Sequence, residues 1–276
     1  MGVVYYFFTQ DTPEGNFKEL AEKGDVPKLK KDQEGFLTAI KDYRVWILFV
    51  VYASCFGIEL TVYGTMDDYL QNTFQLERIT AGNIVLSFAL MNLFARTLGG
   101  FFGDKFGKTK GIRGRVLFLS FILVVQGVML ASFSNISTLY LAIGFLILFS
   151  LSVQMAEGAT FSVVPFINKK AIGSISGIVG AGGNVGAFLA AMLLKVKSAA
   201  SEKAAIAANE GLSEEVIRSA QAAAASQAVS EGYLLIGLTV ITTGVVALGI
   251  RFSAKEEKVA QKELQESFNN TTPANA

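Results

Sequence analysis

Long apolar stretches alternate with short polar, charged ones along most of this chain. A helix needs about 20 mostly apolar residues to cross a bilayer. Six stretches have roughly that length, with soft edges: residues 43–64, 79–103, 116–133, 139–165, 171–194 and 232–252. The pattern predicts an all-α membrane protein with a six-helix transmembrane bundle over 43–252. The polar remainder divides into residues 1–42, a connection at 195–231 and a tail at 253–276. The connection is Ala-rich and mixed in charge, and is expected to be a loop with a short surface helix around 213–225. The chain opens with "MGVVYYFF", which is too short to span. No small-residue cleavage site follows it, so it is not read as a signal peptide. It looks like the last turns of a helix that begins earlier.

Composition agrees with a membrane setting. Hydrophobic residues make up 51% of the 276 and charged ones 17%, against about 25% charged in soluble domains. A net charge of +1 gives no sign of a nucleic-acid partner. The single cysteine, Cys55, excludes an internal disulfide and a cysteine-based metal cluster. With no histidine, the chain lacks His-dependent triads, most zinc sites and the usual pH switch. No metal and no cofactor are expected.

Lysine and arginine set the orientation. Lys105, Lys108, Lys110, Arg113 and Arg115 follow the second stretch. Lys169 and Lys170 follow the fourth, and Arg251, Lys255, Lys258 and Lys262 the sixth. The first connection carries Arg78 beside Asp67, Asp68 and Glu77, and the third has no basic residue. Both termini are therefore expected in the cytoplasm and the 195–231 connection outside.

Charges inside a span cost about 2.5 to 3.5 kcal/mol each at the helix centre on insertion scales. Glu59, Arg96, Asp104 and Glu157 are the candidates. Asp104, in "GGFFGDKFG", suits a gate or a loop clamp. Arg96 is either paired structurally or binds an anion, for which its planar fork offers two parallel hydrogen bonds. Glu59 and Glu157 are proton carriers, partners of an arginine, or helix-end caps. Tyr52 and Phe56 lie one turn apart and either pack or wall a small pocket.

Glycines crowd the fifth stretch. Gly173, Gly177, Gly180 and Asn184 recur at three or four residues, with Gly182, Gly183 and Gly186 among them. Small residues at this spacing let helix backbones approach closely in lipid. Asn184 is expected to find a partner, because a buried amide left alone is costly. It is either a structural bond or a contact to substrate. Gly244 is isolated in the last stretch.

Together these residues resemble the nitrate/nitrite porters of the major facilitator superfamily, above all their eukaryotic high-affinity nitrate transporters. "FARTLGGFFGDKFGKTKGIRGR" is similar to the family's helix eight and the loop after it. "EGATFSVVPFINKKAIGSISGIVGAGGNVGA" is similar to helices ten and eleven, with the nitrate signature. "NLFAR" and "GIELT" also fit, and "FFTQDTPEGNFKEL" resembles the end of helix six and the central cytoplasmic loop. The Gly-Gly-Asp pattern alone marks only the superfamily, whereas the Gly-Gly-Asn signature behind "GATF" is specific. Thr97 departs from the family, where a proline is common after the arginine.

The resemblance implies that the six stretches are helices seven to twelve, the C-terminal half of a major facilitator fold. The first half is missing from this chain, which reads as a fragment. It further implies that Arg96 binds nitrate, that Tyr52 and Phe56 line its pocket, and that Gly180, Gly182, Gly183, Asn184 and Gly186 form the helix-eleven signature. Gly99, Gly100 and Asp104 then form the gating motif. A leucine at the isolated Gly244 is expected to damage transport less than one at Gly183. Nitrate import into a negative cell runs uphill by about 2.3 kcal/mol per charge per 100 mV. The family implies proton symport, or nitrate–nitrite exchange, with Glu59 and Glu157 as possible coupling groups. The expected partners are nitrate or nitrite, protons, the bilayer and the missing half, in the plasma membrane. A carrier and not an enzyme is expected; an accessory subunit is not legible. The alternatives are a carrier for another small anion and a non-transporting half-size membrane protein.

Overall fold

A computed structural model describes residue 22 and residues 33–261. The expectations for the opening segment, and for the tail beyond 261, lie outside the described residues.

Six principal helices follow one another: α1 (Gln33–Lys41), α2 (Tyr43–Phe74), α3 (Arg78–Phe133), α4 (Leu139–Val163), α5 (Ile172–Ala208) and α6 (Glu214–Ala247). A short helix at 254–261 closes the described chain. No strand occurs among the described residues. Five helices, α2 to α6, are long and apolar enough to cross a membrane. Their ends have local causes. The Asp42 carboxylate accepts the backbone N–H of Arg44 at 2.9 Å and starts α2. Gln75, at φ 53°, turns the chain out of it. Between α4 and α5, Pro165 sits in a 3-10 turn and the Asn168 side chain accepts from the Lys170 backbone at 3.0 Å.

The 56 residues of α3 would run about 84 Å as one straight helix, nearly three times a hydrocarbon core of about 30 Å. They do not run straight. Lys110 and Gly111 leave helical geometry, and Gly111 adopts φ 66°, ψ −156°, a combination open essentially to glycine. The Phe106 and Phe118 rings stack with centroids 5.3 Å apart, although 12 residues of straight helix would separate them by about 18 Å. The chain therefore folds back, and the predicted stretches 79–103 and 116–133 occupy the two arms.

The structure differs from expectation over 195–231. Helix α5 runs on to Ala208 and α6 starts at Glu214, leaving 209–213 outside helices. Hydropathy marks where a span leaves lipid, but alanine, the best helix former, carries the helix onward. Lys197 and Glu231 pair across the two arms at 3.1 Å.

Packing joins α3 to α4 and α6, and α5 to α2 and α6. Leu48, Met66, Leu119, Phe149 and Tyr233 are among the fully buried core side chains. Glycines permit the closest approaches: Gly99 lies on the backbone of Met155, and Gly158 on the backbone of Arg96. Gly244, isolated along the chain, is not isolated in space. It is buried, and a Cβ there would lie 2.9 Å from Val124 and 3.1 Å from the Ser120 carbonyl. Leu93, Phe94, Phe101, Phe121 and Phe188 are more than half exposed, a covering suited to lipid and not to water.

Candidate functional site

Three helices bring a polar cluster into the apolar bundle. Asn92 and Arg96 lie four residues apart on α3, and Gln154 and Glu157 three apart on α4. Each pair therefore shares a helix face. Glu59 comes from α2. The Arg96 guanidinium donates to the Glu157 carboxylate and, at 3.4 Å, to the Gln154 amide oxygen. The same nitrogen lies 3.8 Å from Glu59. Gln154 donates to Glu59 Oε1, and Asn92 donates to that same oxygen at 3.1 Å. Glu59 Oε2 and Glu157 Oε1 have no hydrogen-bond partner. Exposure is asymmetric: 43% for the Arg96 side chain against 3% for Glu59 and 0% for Glu157. The carboxylates are sealed in the bundle while the guanidinium reaches its open face. Fully ionised, the cluster holds two negative charges and one positive, and burying an unmatched charge is strongly unfavourable.

An aromatic wall stands nearby. The Tyr52 and Phe56 rings stack with centroids 5.4 Å apart and planes 8° from parallel. Phe161 meets Tyr52 edge-on at 5.2 Å. Tyr52 is within electrostatic reach of Glu157 and Arg96. The wall straddles a π-helical turn at Ala53–Gly57, a rare geometry frequent at functional sites.

The glycines of α5 divide into two stripes. Gly182 lies on the backbone of Phe49 and Gly186 on that of Ala53. A Cβ on Gly183 would lie 2.5 Å from the Phe56 ring and 3.1 Å from that of Tyr52. Thr61 reinforces this contact by donating to the Ala187 carbonyl at 3.2 Å. The second stripe, Gly173, Gly177 and Gly180, has nothing within 4 Å of its would-be Cβ positions. Asn184 continues that stripe and is exposed. The expected close approach thus belongs to Gly182, Gly183 and Gly186 and not to the regular Gly173–Asn184 series. Asn184 is exposed, so of its two expected roles the buried structural bond is not the one seen.

Asp104 lies eight residues beyond Arg96, about 12 Å along the helix, and joins a separate cluster. It accepts from Arg115, which also donates to the Ser162 carbonyl at 3.1 Å and sits 4.8 Å from the Phe166 ring centroid. Arg115 is only 4% exposed. Gly103 approaches Ser162 and Gly107 approaches Arg115, whereas Gly100 faces open space.

Sequence reasoning singled out Arg96, Glu59 and Glu157, and these meet. It missed Gln154 and Asn92, which organise them, and read Arg115 only as a topogenic charge. The available signal was helical spacing: each neutral amide sits one turn before a charged candidate.

Residues 1–191 match the profile of the family described as Major Facilitator Superfamily. The chain belongs to that superfamily. It is an integral membrane protein. Among curated relatives it is 40% identical over 188 residues to high affinity nitrate transporter 2.5 of Arabidopsis thaliana, covering 67% of this chain and 37% of the relative. It is 33% identical over 204 residues to high affinity nitrate transporter 2.7 of the same plant, covering 70% and 41%. It is 36% identical over 159 residues to the nitrate/nitrite transporter NrtP of a Picosynechococcus strain, covering 57% and 29%. The chain spans well under half the length of each of these relatives. No solved structure matches it significantly.

Proposed function

We propose that this chain supplies one half of a carrier that moves nitrate, and nitrite, across the plasma membrane by alternating access. In this reading the two arms of α3 each cross the bilayer, giving six crossings with both termini in the cytoplasm. A first half of the same fold completes the site, and no covalent chemistry is involved. Superfamily sites lie near the midplane between two repeats, which fits a half whose polar groups reach one open face.

The observation that carries the reading is Arg96: a guanidinium exposed toward that face from a base of buried carboxylates. It offers a planar anion two parallel hydrogen bonds. Tyr52 and Phe56 form the adjacent wall. Gly183 seats α5 against it, and Gly180 and Asn184 lie on the open stripe of the same helix. Gly99, Gly100 and Asp104, with Arg115, form the gating motif. Transport is proton-coupled, with Glu59 and Glu157 as the ionisable groups beside the anion. The names of the relatives, nitrate and nitrite transporters, support the choice of substrate.

The test joins this chain to the first-half helices of one of those relatives in a cell lacking nitrate uptake. Nitrate uptake by the chimera, competed by nitrite and chlorate, is the expected result. Near-normal uptake by the Arg96→Lys chimera would remove Arg96 from the site. Competition by phosphate or organic anions alone would replace the substrate.

A further inference from the structure

We propose that the groove between the start of α3's second arm and the end of α6 binds an anionic phospholipid, with its phosphate on Arg113 and Arg251 and its acyl chains along the adjoining apolar wall. The groove shares no residue with the Arg96 cluster, and its occupant does not depend on what the carrier moves.

The groove follows from how the two helices meet. The Ser120 hydroxyl donates to the Gly244 carbonyl at 2.6 Å, where the second arm of α3 lies against α6. About one turn further along each, Leu117 and Leu248 line a groove of about 320 Å³, a size found among small-ligand sites of about 300–1,000 Å³. Val116 and Phe252 extend its apolar wall, and Arg113, Arg251 and Glu257 supply its charge. Leu248 is 46% exposed. Val116 opens one apolar stretch of the sequence and Phe252 closes another. By hydropathy the groove therefore sits where two spans leave the hydrocarbon. The bend at Gly111 shapes its third side. A Cβ there would lie 3.0 Å from the Gln261 side chain, so the 254–261 helix packs on the bend and carries Glu257 to the groove.

The charges select the occupant. Arg113 and Arg251 are exposed, and neither guanidinium has an ion pair or a hydrogen bond among the described residues. Arg44, which reaches the same wall, is different. It is matched by Asp42 and Glu256, and lies over the Phe252 ring at 4.9 Å. Glu257 has no ion pair among the described residues either. Two cations and one anion give the lining a net charge of +1, the complement of one phosphodiester. The guanidinium fork suits phosphate oxygens. The apolar wall beside it suits an acyl chain and gives a free phosphate nothing. In the proposed orientation this end of the bundle is cytoplasmic, the side whose anionic lipids attract basic residues.

The test uses the whole purified chain in non-ionic detergent. Retained lipid is counted by native mass spectrometry, and the thermal midpoint is a second readout. Phosphatidylglycerol and phosphatidylcholine with the same acyl chains are compared, beside glycerol 3-phosphate. Phosphatidylglycerol is expected to bind at least about tenfold more tightly than phosphatidylcholine and to raise the midpoint. Glycerol 3-phosphate at equal concentration should not displace it. Arg113→Gln/Arg251→Gln should abolish the preference. Lys105→Gln/Lys258→Gln, which removes equal charge from the same end, should keep it. All four side chains are exposed, so both double variants are expected to fold. Glu257→Gln should tighten phosphatidylglycerol binding, because the lining then carries two positive charges. Equal retention of the two lipids, equal loss in both double variants, or weaker binding in Glu257→Gln overturns the assignment. Displacement by glycerol 3-phosphate would make the groove a site for free phosphates and overturn the lipid.

Discussion

Gly183 of α5 faces Phe56 of α2 so closely that a Cβ on the glycine would lie 2.5 Å from the ring. The helix is seated on the aromatic wall through a missing side chain. Gly183→Ala is therefore expected to push Phe56 and Tyr52 from their stack. Gly186→Ala meets the Ala53 backbone instead and must move α2 from α5. Overpacking of this kind costs about 1–3 kcal/mol. Gly177→Ala meets nothing and gains helix propensity of up to about 1 kcal/mol. Thermal unfolding in detergent should rank Gly186→Ala below Gly183→Ala, and both below Gly177→Ala. An unchanged midpoint for Gly186→Ala would contradict the close approach.

Arg115 and Asp104 are unequal partners. Arg115 is nearly sealed and holds the Ser162 carbonyl and the Phe166 ring, while the Asp104 side chain is 54% exposed. Arg115→Ala strips the carbonyl of its donor and removes buried packing. It is expected to destabilise by about 1–3 kcal/mol. Asp104→Asn leaves an oxygen to accept from Arg115, and water reaches the exposed carboxylate end of the pair, so the smaller loss is expected there. The comparison is made by denaturation midpoints of the two variants at equal protein-to-lipid ratio. A larger effect from Asp104→Asn would reverse this account.

Much of the cluster was legible because charge in an apolar helix is expensive and so conspicuous. Arg96, Glu59 and Glu157 stand out for that reason. Gln154 and Asn92 did not, since a neutral amide in an apolar run carries no comparable cost and is read as noise. The glycines show another limit. Helical periodicity finds both stripes of α5, but only the neighbouring helix decides which is buried. The contact with Phe49 and Ala53 selected Gly182 and Gly186. Gly244 shows the same limit: its isolation along the chain says nothing of Val124 beside it in space. At 195–231 the apolar signal ended before the helix did, because alanine maintains helix without lipid.

Arg96→Lys isolates geometry from charge. Lysine keeps a cation beside Glu157 but lacks the planar fork. Two parallel bonds to a flat anion become one, so binding is expected to weaken at least about tenfold, a change of about 1.4 kcal/mol. The fold should hold, because the buried carboxylates keep a positive partner. Nitrate affinity by calorimetry, beside circular dichroism of the same samples, checks both halves of the expectation. A lost fold with intact affinity in the surviving fraction would make Arg96 a structural residue only.

The last expectation concerns acid. Ser253 and Glu256 form a reciprocal cap on the 254–261 helix. The Ser253 backbone N–H donates to the Glu256 carboxylate at 2.7 Å, and the Glu256 N–H donates to the Ser253 hydroxyl at 3.3 Å. Arg44, at the start of α2, donates to the same carboxylate at 3.0 Å. The Ser253 N–H, with Arg44 assisting, holds Glu256 below its ordinary value of 4.5. A carboxylate held low in the folded state binds fewer protons there than in the unfolded chain, so it adds stability above its ordinary value. That contribution shrinks as the pH falls below 4.5 and is gone once the pH drops under the lowered value. The side chain is 41% exposed, so the effect should be local and not a loss of the bundle. Hydrogen exchange of residues 254–261 is expected to accelerate between neutral pH and pH 3.5, beyond the intrinsic pH dependence of exchange. In Glu256→Gln the segment should exchange faster at neutral pH and show little further acid effect. Equal protection of the two proteins at neutral pH would mean that the cap and its Arg44 contact do not hold this helix to α2.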